Sequence, residues 1–404
     1  MLDLLPLAAR NVMRNKRRTA ITLSGVLLGV AATVFLGGFA GGFIQLLTAL
    51  VSEGRMGAIQ VHKKGYLDED LDPLKMDLPQ DAAFISRLKG VPGVTAVSPR
   101  ITFEAMLSNG SEGTVVYVTA MDPALEALVC PRRWDAVEGG RFIPDRPEDV
   151  LVGRVLLAGL GAQAGSPLLI TASMATGATN ALDVRVLRSL GNTDILQSKR
   201  RMEMTLEYAQ TLLAMQGRVT EYALAMDEDA DLDKVAALVK TAVGPDHDVH
   251  TWPELASDLA DVFRLIAFIM SLVVLMLALL VLSGVANTML MAVHERTREI
   301  GTMMAMGMKR RRVMLSIVLE AGVLGVMGGV LGAILGYILV QLVHATGFPL
   351  KPPGSDVDNY LRPLPSVLFA IISAVGCAVG AVLAALYPAR RAARLTPVEA
   401  LRND

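Results

Sequence analysis

Aromatic side chains make up only 5% of this chain and charged ones only 19%. The first scarcity leaves no run of rings on which nucleobases could stack. The second, with a formal net charge of −1, lacks the clustered basic excess of a general nucleic-acid binder, so no nucleic-acid partner is expected. Cysteine is nearly absent. Cys130 and Cys377 are the two in the sequence, one in a mixed-polarity region and one inside an apolar run. A bond between them is not expected, and each reads as a small buried residue. Several motifs are also missing: no G-x-x-x-x-G-K-[ST] phosphate loop, no H-E-x-x-H and no G-x-S-x-G occurs. Gly159-Leu160-Gly161 with Gly165 has the wrong spacing to cradle a phosphate. The chain is therefore expected to carry no ATPase chemistry, no catalytic residues, no cofactor and no metal of its own.

What the chain has is apolar length. Hydrophobic residues reach 52%, above the usual globular share, and they are concentrated rather than spread. Residues 19–51, 265–293 and 363–389 carry no charge, and 313–343 carry only Glu320. Each run exceeds the roughly 20 residues that cross a bilayer. The first, at roughly 1.5 Å per residue, would make a helix of about 50 Å, so it is expected to tilt or to project as a stalk. Lysine and arginine gather at 10–18, at 294–312 and at 390–402, whereas 344–362 has only Lys351 and Arg362. The positive-inside rule then places both termini and 294–312 in the cytoplasm. The N-terminal run is too long for a cleaved signal core and reads as a retained signal anchor.

The expected layout is a membrane α-helical fold of four spans, both termini inside, with a large mixed α/β extracytoplasmic domain between the first and second spans. Its boundaries are a cytoplasmic segment 1–18, a first span with stalk 19–51, an outer domain 52–261 and a stalk with second span 262–293. A cytoplasmic segment 294–312, a third span 313–343, an outer loop 344–362, a fourth span 363–389 and a cytoplasmic tail 390–404 follow. Within the outer domain, 57–62, 167–171, 182–188, 219–226 and 247–252 read as strands, and 80–89, 154–160, 204–215 and 231–243 as helices. Strands 101–107 and 114–120 flank Ser108-Asn109-Gly110-Ser111-Glu112-Gly113, a hairpin turn. Residues 219–252 form a βαβ unit. Two sub-domains are expected, split near 135–150 where glycine and proline cluster.

Three blocks then carry a resemblance. The first is Ala9-Arg10-Asn11 through Arg14-Asn15-Lys16-Arg17-Arg18-Thr19, leading into Gly25 and Gly29. The second is Asn287-Thr288-Met289-Leu290, then Glu295-Arg296-Thr297-Arg298-Glu299-Ile300-Gly301 and Met304-Ala305-Met306-Gly307, continuing through Glu320-Ala321 to Gly328-Gly329, Gly332 and Gly336. The third is Pro388-Ala389-Arg390-Arg391-Ala392-Ala393-Arg394 with Pro397, Glu399-Ala400 and Leu401. In this order and spacing they resemble the FtsX-like, MacB-type permeases of type VII ABC transporters. Gln60-Val61-His62 with Gly65-Tyr66, and the length, look most like the LolC/LolE lipoprotein-releasing branch.

The resemblance implies a bacterial inner-membrane subunit that pairs with a second permease copy, identical or related, and with two copies of a P-loop ATPase. ATP and Mg would be bound by that ATPase. Its work would move the stalks and, through them, the periplasmic domain: mechanotransmission rather than passage of cargo through the membrane. Lipoprotein release or export of amphiphiles is implied, with a periplasmic chaperone, adaptor or lipoprotein as partner. An FtsX-like signalling scaffold that regulates a cell-wall hydrolase is the alternative. A membrane-embedded enzyme is disfavoured because no acid/base or metal set converges. In the family, the segment holding Glu295 to Gly301 and Met304 to Gly307 docks on the ATPase, although charge alone would make it a solvated, topology-setting loop.

The remaining polar and small residues have plain readings. Gly25/Gly29, Gly328/Gly332/Gly336 and Gly376/Gly380 recur every four residues and imply close helix packing, within the subunit or at a dimer seam. Glu320 is the intramembrane acid, either a proton relay or, as the family match favours, a structural or coupling group. Asn287 and Ser283 would hydrogen-bond between helices. His247-x-x-His250 has ligand spacing only on a helix and falls in a strand. Asp227 to Asp233 lacks the glycine and terminal glutamate of a calcium loop and reads as an acidic helix cap.

Overall fold

The computed structural model describes residues 16–66, 73–191, 200–227, 229–350 and 357–394. The N-terminal part of the first block (1–15), the end of the third block and tail (395–404), Lys351 and Glu228 lie outside them. The chain divides into two compact units, one of Met1–Gln45, Phe263–Phe348 and Tyr360–Asp404, the other of Leu46–Val262 and Pro349–Asn359.

Helix α1 (Lys16–Val51) begins inside the basic segment and closes with one wider, π-type turn over Ser52–Met56, where Gly57 N donates to Ser52 O at 2.8 Å. Gly57 then reverses the chain at φ +81, and a Cβ there would press on Leu224 O, so the position requires glycine.

The second unit follows as β1 (Ile59–Lys63), β2 (Leu78–Pro79), α2 (Ala82–Lys89), β3 (Val94–Ser108), β4 (Gly113–Met121) and α3 (Pro123–Val129), with a 3-10 turn over Pro131–Trp134. Next come β5 (Asp149–Gly153), α4 (Arg154–Gly159), β6 (Pro167–Ser173), β7 (Thr179–Leu190), β8 (Arg201–Thr205) and α5 (Leu206–Leu213). The unit ends with β9 (Arg218–Val219), β10 (Glu221–Met226), α6 (Leu232–Val243), β11 (His247–Thr251) and α7 (Trp252–Leu255). One nine-stranded sheet runs β11-β1-β10-β3-β4-β8-β5-β7-β6, and β6 pairs again with β3, closing six strands on themselves. Alternation explains the core. Ile101, Phe103, Ala105 and Leu107 of β3 and Val116, Val118 and Ala120 of β4 point into one apolar cluster that also holds Val150, Val152, Met202, Met204 and Leu224.

The expected split into two sub-domains near 135–150 is corrected here. The fifteen-residue strand β3 pairs with β10 through its first half and with β4 through its second, so strands on both sides of that stretch share one sheet and one core. The expected helix at 204–215 starts only at Leu206, because Arg201–Thr205 is the strand between β4 and β5. The βαβ unit is split: β10 and β11 flank β1, each antiparallel to it. Asp231 caps α6, accepting from Lys234 N at 3.2 Å. His247 and His250 lie on β11, and among the described residues no group of three or more His, Cys, Asp or Glu could hold a metal.

The first unit adds α8 (Ser257–Glu295), α9 (Thr297–Ala305), α10 (Arg310–Thr346) and α11 (Val367–Ala393) to α1. Among the described residues, four helices are long and apolar enough to cross a membrane: Thr19–Met56, Ser257–Glu295, Arg310–Thr346 and Val367–Ala393. The spans depart from the expected ranges by a few residues: flanking polar residues extend α8, which starts at Ser257 rather than 262, and α10, whereas α11 starts only at Val367, after Pro363 and Pro365. Val26, Val30 and Val34 of α1 pack with Val285 and Met289 of α8, Leu324 and Ala333 of α10, and Ala381 and Ala385 of α11. Glycines set the spacing. A Cβ on Gly328 would meet Val26, on Gly332 Val30, and on Gly336 Ala31 O at 2.8 Å, so one stripe of α10 lies against α1. Gly29 faces Val281 and Gly380 faces Leu282, both on α8. Gly25 and Gly376 face no atom within 4 Å.

Candidate functional site

Helix α8 stops at Glu295 because Arg296 leaves helical geometry (φ −104, ψ 14), and α9 starts at once on Thr297. Of the stretch Glu295 to Gly307, Glu295 ends α8, Arg296 is the break, and Thr297–Ala305 forms a separate short helix followed by a turn. Gly307 makes that turn at φ +96, a conformation glycine adopts without steric cost. The faces of α9 differ. Ile300 and Gly301 are buried, and Ile300 joins Val293, Val313 and Ala392, with Met303 and Met304 packed beside them. Glu295, Arg298, Glu299, Ala305, Met306 and Gly307 are exposed, Met306 at 76% despite its apolar side chain. Thr297 hydroxyl bonds back to Val293 O at 3.0 Å and His294 O at 2.9 Å, helping to fix the break.

Arg296 and Glu320 meet across this junction. Arg296 Nη1 donates to both Glu320 oxygens, at 3.2 and 3.1 Å. Both side chains are largely withdrawn from solvent. The intramembrane acid thus holds the start of α9 to α10. Leaving either partner alone would strand a buried charge, a loss of roughly 3–5 kcal/mol in comparable pairs. Arg296 accordingly turns toward Glu320, whereas Arg298 and Glu299 are exposed. Asn287 is exposed and, among the described residues, makes no interhelical hydrogen bond; α8 turns that side away from its neighbours.

The sequence reading missed a second constellation, in the outer domain. Strand β3 carries Arg100, α3 carries Glu126, the following turn carries Arg133, and β8 and β10 carry Glu203 and Glu221. All five are essentially buried. Arg100 Nη2 meets Glu126 Oε1 at 2.6 Å and its Nη1 meets Glu221 Oε1 at 3.4 Å. Arg133 lies 2.9 Å from Glu126 and 3.2 Å from Glu203, which also binds Arg201. Ser98 hydroxyl donates to Glu126 at 2.8 Å. His62 Nε2 stands 3.6 Å from Glu221.

Electrostatics follow from that arrangement. Burial alone would raise the Glu126 carboxyl, but the charges of Arg100 and Arg133, with hydrogen bonds from Arg100 and Ser98, overcome it and hold the group below its usual range. Burial would raise the Glu221 carboxyl, but His62, 3.6 Å away, and the charge of Arg100 outweigh it and hold the group at about 2. Burial would lower Arg100 and Arg133, yet the facing carboxylates push both further up. Cys130 beside them has its thiol pushed up, chiefly by burial. The cluster is thus a set of fixed opposite charges. Sequence spacing gave no sign of it, since its members come from five elements. The one local hint is Cys130-Pro131-Arg132-Arg133-Trp134, where charge sits amid residues that favour the interior.

Membrane-length helices, a large α/β domain inserted between the first two and a short polar helix between the second and third define a polytopic membrane protein with an extracytoplasmic domain. Residues 19–242 match the MacB-like periplasmic core domain, and 271–397 match the FtsX-like permease C-terminal domain. The chain belongs to this MacB/FtsX-like family of ABC transporter permeases. Over 99% of its length it is 26% identical to the macrolide export ATP-binding/permease protein MacB of Sodalis glossinidius, of which it spans 60%. It is also 26% identical, over its whole length, to the pyoverdine export ATP-binding/permease protein PvdT of Pseudomonas entomophila, again spanning 60% of that protein. With an ABC transporter permease of Methanocaldococcus jannaschii it shares 23% identity over all of this chain and 98% of the relative.

Proposed function

We propose that this chain is the permease part of an export system in the inner membrane, driven by a partner ATPase that is a separate subunit or a fused domain. Two copies of that ATPase and a second permease copy complete the machine, and the nucleotide and its Mg belong to the ATPase. Both termini and α9 face the cytoplasm, where Arg298, Glu299 and Met306 form the surface that meets the ATPase. The observation that carries this reading is the two-faced α9: one side locked to α10 through Ile300 and the Arg296–Glu320 pair, the other exposing charge and Met306. A push on the exposed face is passed to α8 and α10 because the buried face cannot slip.

Relatives named for macrolide and pyoverdine export favour amphiphilic small molecules as cargo over lipoproteins. A periplasmic adaptor would receive the cargo. The test is reconstitution of the permease with its co-purifying ATPase in proteoliposomes loaded with a fluorescent macrolide. ATP-dependent relocation of the macrolide supports export. Normal ATP turnover without relocation, together with activation of a co-purified wall hydrolase, would replace this reading with the signalling scaffold.

A further inference from the structure

We propose that Arg100 and Arg133 form a cation clamp on the C-terminal carbonyls of α1, and that movement of this stalk helix passes into the outer domain through them. The inference rests on the mechanotransmission reading for its purpose, but its geometry stands alone. A helix end leaves carbonyls without intrahelical partners and carries partial negative charge. Here the closing turn is capped by the side chains of the cluster. Arg100 Nη1 donates to Arg55 O and to Met56 O, each at 3.1 Å. Arg133 Nη2 also donates to Arg55 O. Cys130 thiol donates to Ser52 O at 3.3 Å, and Gln60 Nε2 donates to Met56 O at 2.8 Å.

What makes this a clamp rather than an ordinary cap is what stands behind the arginines. Guanidinium groups are planar forks, and here each fork is divided between the helix end and a buried carboxylate. Glu126 on α3 holds both arginines, Glu203 on β8 holds Arg133, and Glu221 on β10 holds Arg100. Displacing the end of α1 therefore pulls on α3, β3, β8 and β10 together. The half-buried bridge from Arg132 to Glu53 at 2.8 Å lies outside the clamp, and solvent at both side chains weakens it relative to the buried pairs.

The test is the charge-balanced double variant Arg133→Met/Glu203→Gln in the full chain with its ATPase, in nanodiscs. Hydrogen exchange is followed at the amides of 52–57 and, as a fold control, at β3 and β4. We expect exchange at 52–57 to rise at least tenfold with the β3–β4 amides unchanged, and ATP-driven relocation of cargo to fall at least tenfold while ATP turnover continues. Arg132→Ala should leave both readings as they are. Unchanged exchange at 52–57 in the folded double variant overturns the clamp. Faster exchange with undiminished relocation overturns its part in transmission. If the double variant does not fold, Cys130→Ala, which removes the thiol that donates to Ser52 O and accepts from Arg100 Nη2 at 3.2 Å, should raise exchange at 52–57 about threefold; no rise overturns the proposal. Absence of ATP-driven relocation in the unaltered protein would sink the export reading instead, and leave the exchange result to judge the clamp.

Discussion

At the scale of single residues, burial decides which charges matter. Among the described lysines and arginines, only Arg100, Arg133 and Arg201 are buried. The partners of Arg100 and Arg133 are buried with them, so each charge is compensated and each is costly to lose. Glu221 gives this a pH signature. Its folded carboxyl sits at about 2 rather than 4.5, so the folded domain binds that proton less readily than the unfolded chain. The stabilisation it supplies is complete above about pH 5 and is lost as the pH falls from there through about 2. Glu221→Gln should therefore lower thermal stability at pH 7 and flatten its fall between pH 5 and 2. Scanning fluorimetry across that range reads both effects. A variant whose melting temperature falls with acid as steeply as the parent's would contradict the assignment.

Elements show why the same residue type has different meanings. Glycines recur every four residues on α1, α10 and α11, yet only some meet a neighbour. On α10, Gly328, Gly332 and Gly336 form a flat track for α1, whereas Gly376 on α11 faces open space. Gly332→Val would drive a side chain into the Leu27 carbonyl and Val30, and backbone does not yield as a side-chain tip does. Overpacking of this kind costs about 1–3 kcal/mol or more. A drop of several degrees in melting temperature is expected in detergent, with Gly376→Val close to unchanged. Equal melting of the two variants would mean that the track is not a packing surface. Helices and strands themselves follow their local patterns: the outer hairpin turns at Asn109, whose side chain accepts from Ser111 N at 2.9 Å and Glu112 N at 2.7 Å.

The whole molecule is where the exposed face of α9 and the outer domain become one question. Helices of 36 and 39 residues, α1 and α8, flank the outer domain in the chain, α1 followed by its closing turn and β1, α8 preceded by β11 and α7, so in the proposed function a stroke would reach that domain along helices. Glu299→Lys reverses a charge on the exposed face of α9 and leaves the Ile300, Arg296 and Glu320 side chains themselves in place. The variant should insert and fold normally, yet lose at least tenfold in ATP-driven outer function. Comparing cargo relocation with ATP turnover in the reconstituted complex checks this. Full activity would remove α9 from the coupling path.

Sequence alone determined the membrane spans, the inserted α/β domain, the hairpin and the family blocks, because these depend on periodicity, uncharged length and residues close together along the chain. It also singled out Glu320 and Arg296, each on its own. Tertiary structure decided that those two are partners, that α9 has a buried face and an exposed one, and which glycines carry packing. It decided, too, that strands from both sides of 135–150 make one sheet. The charge cluster around Arg100 and Arg133 was beyond any local pattern. Its members lie up to 121 positions apart, and only the closing of the sheet beneath α3 brings them to the end of α1. Burial turns ordinary surface residue types into fixed opposite charges there, and burial is a property of the fold rather than of any stretch of sequence.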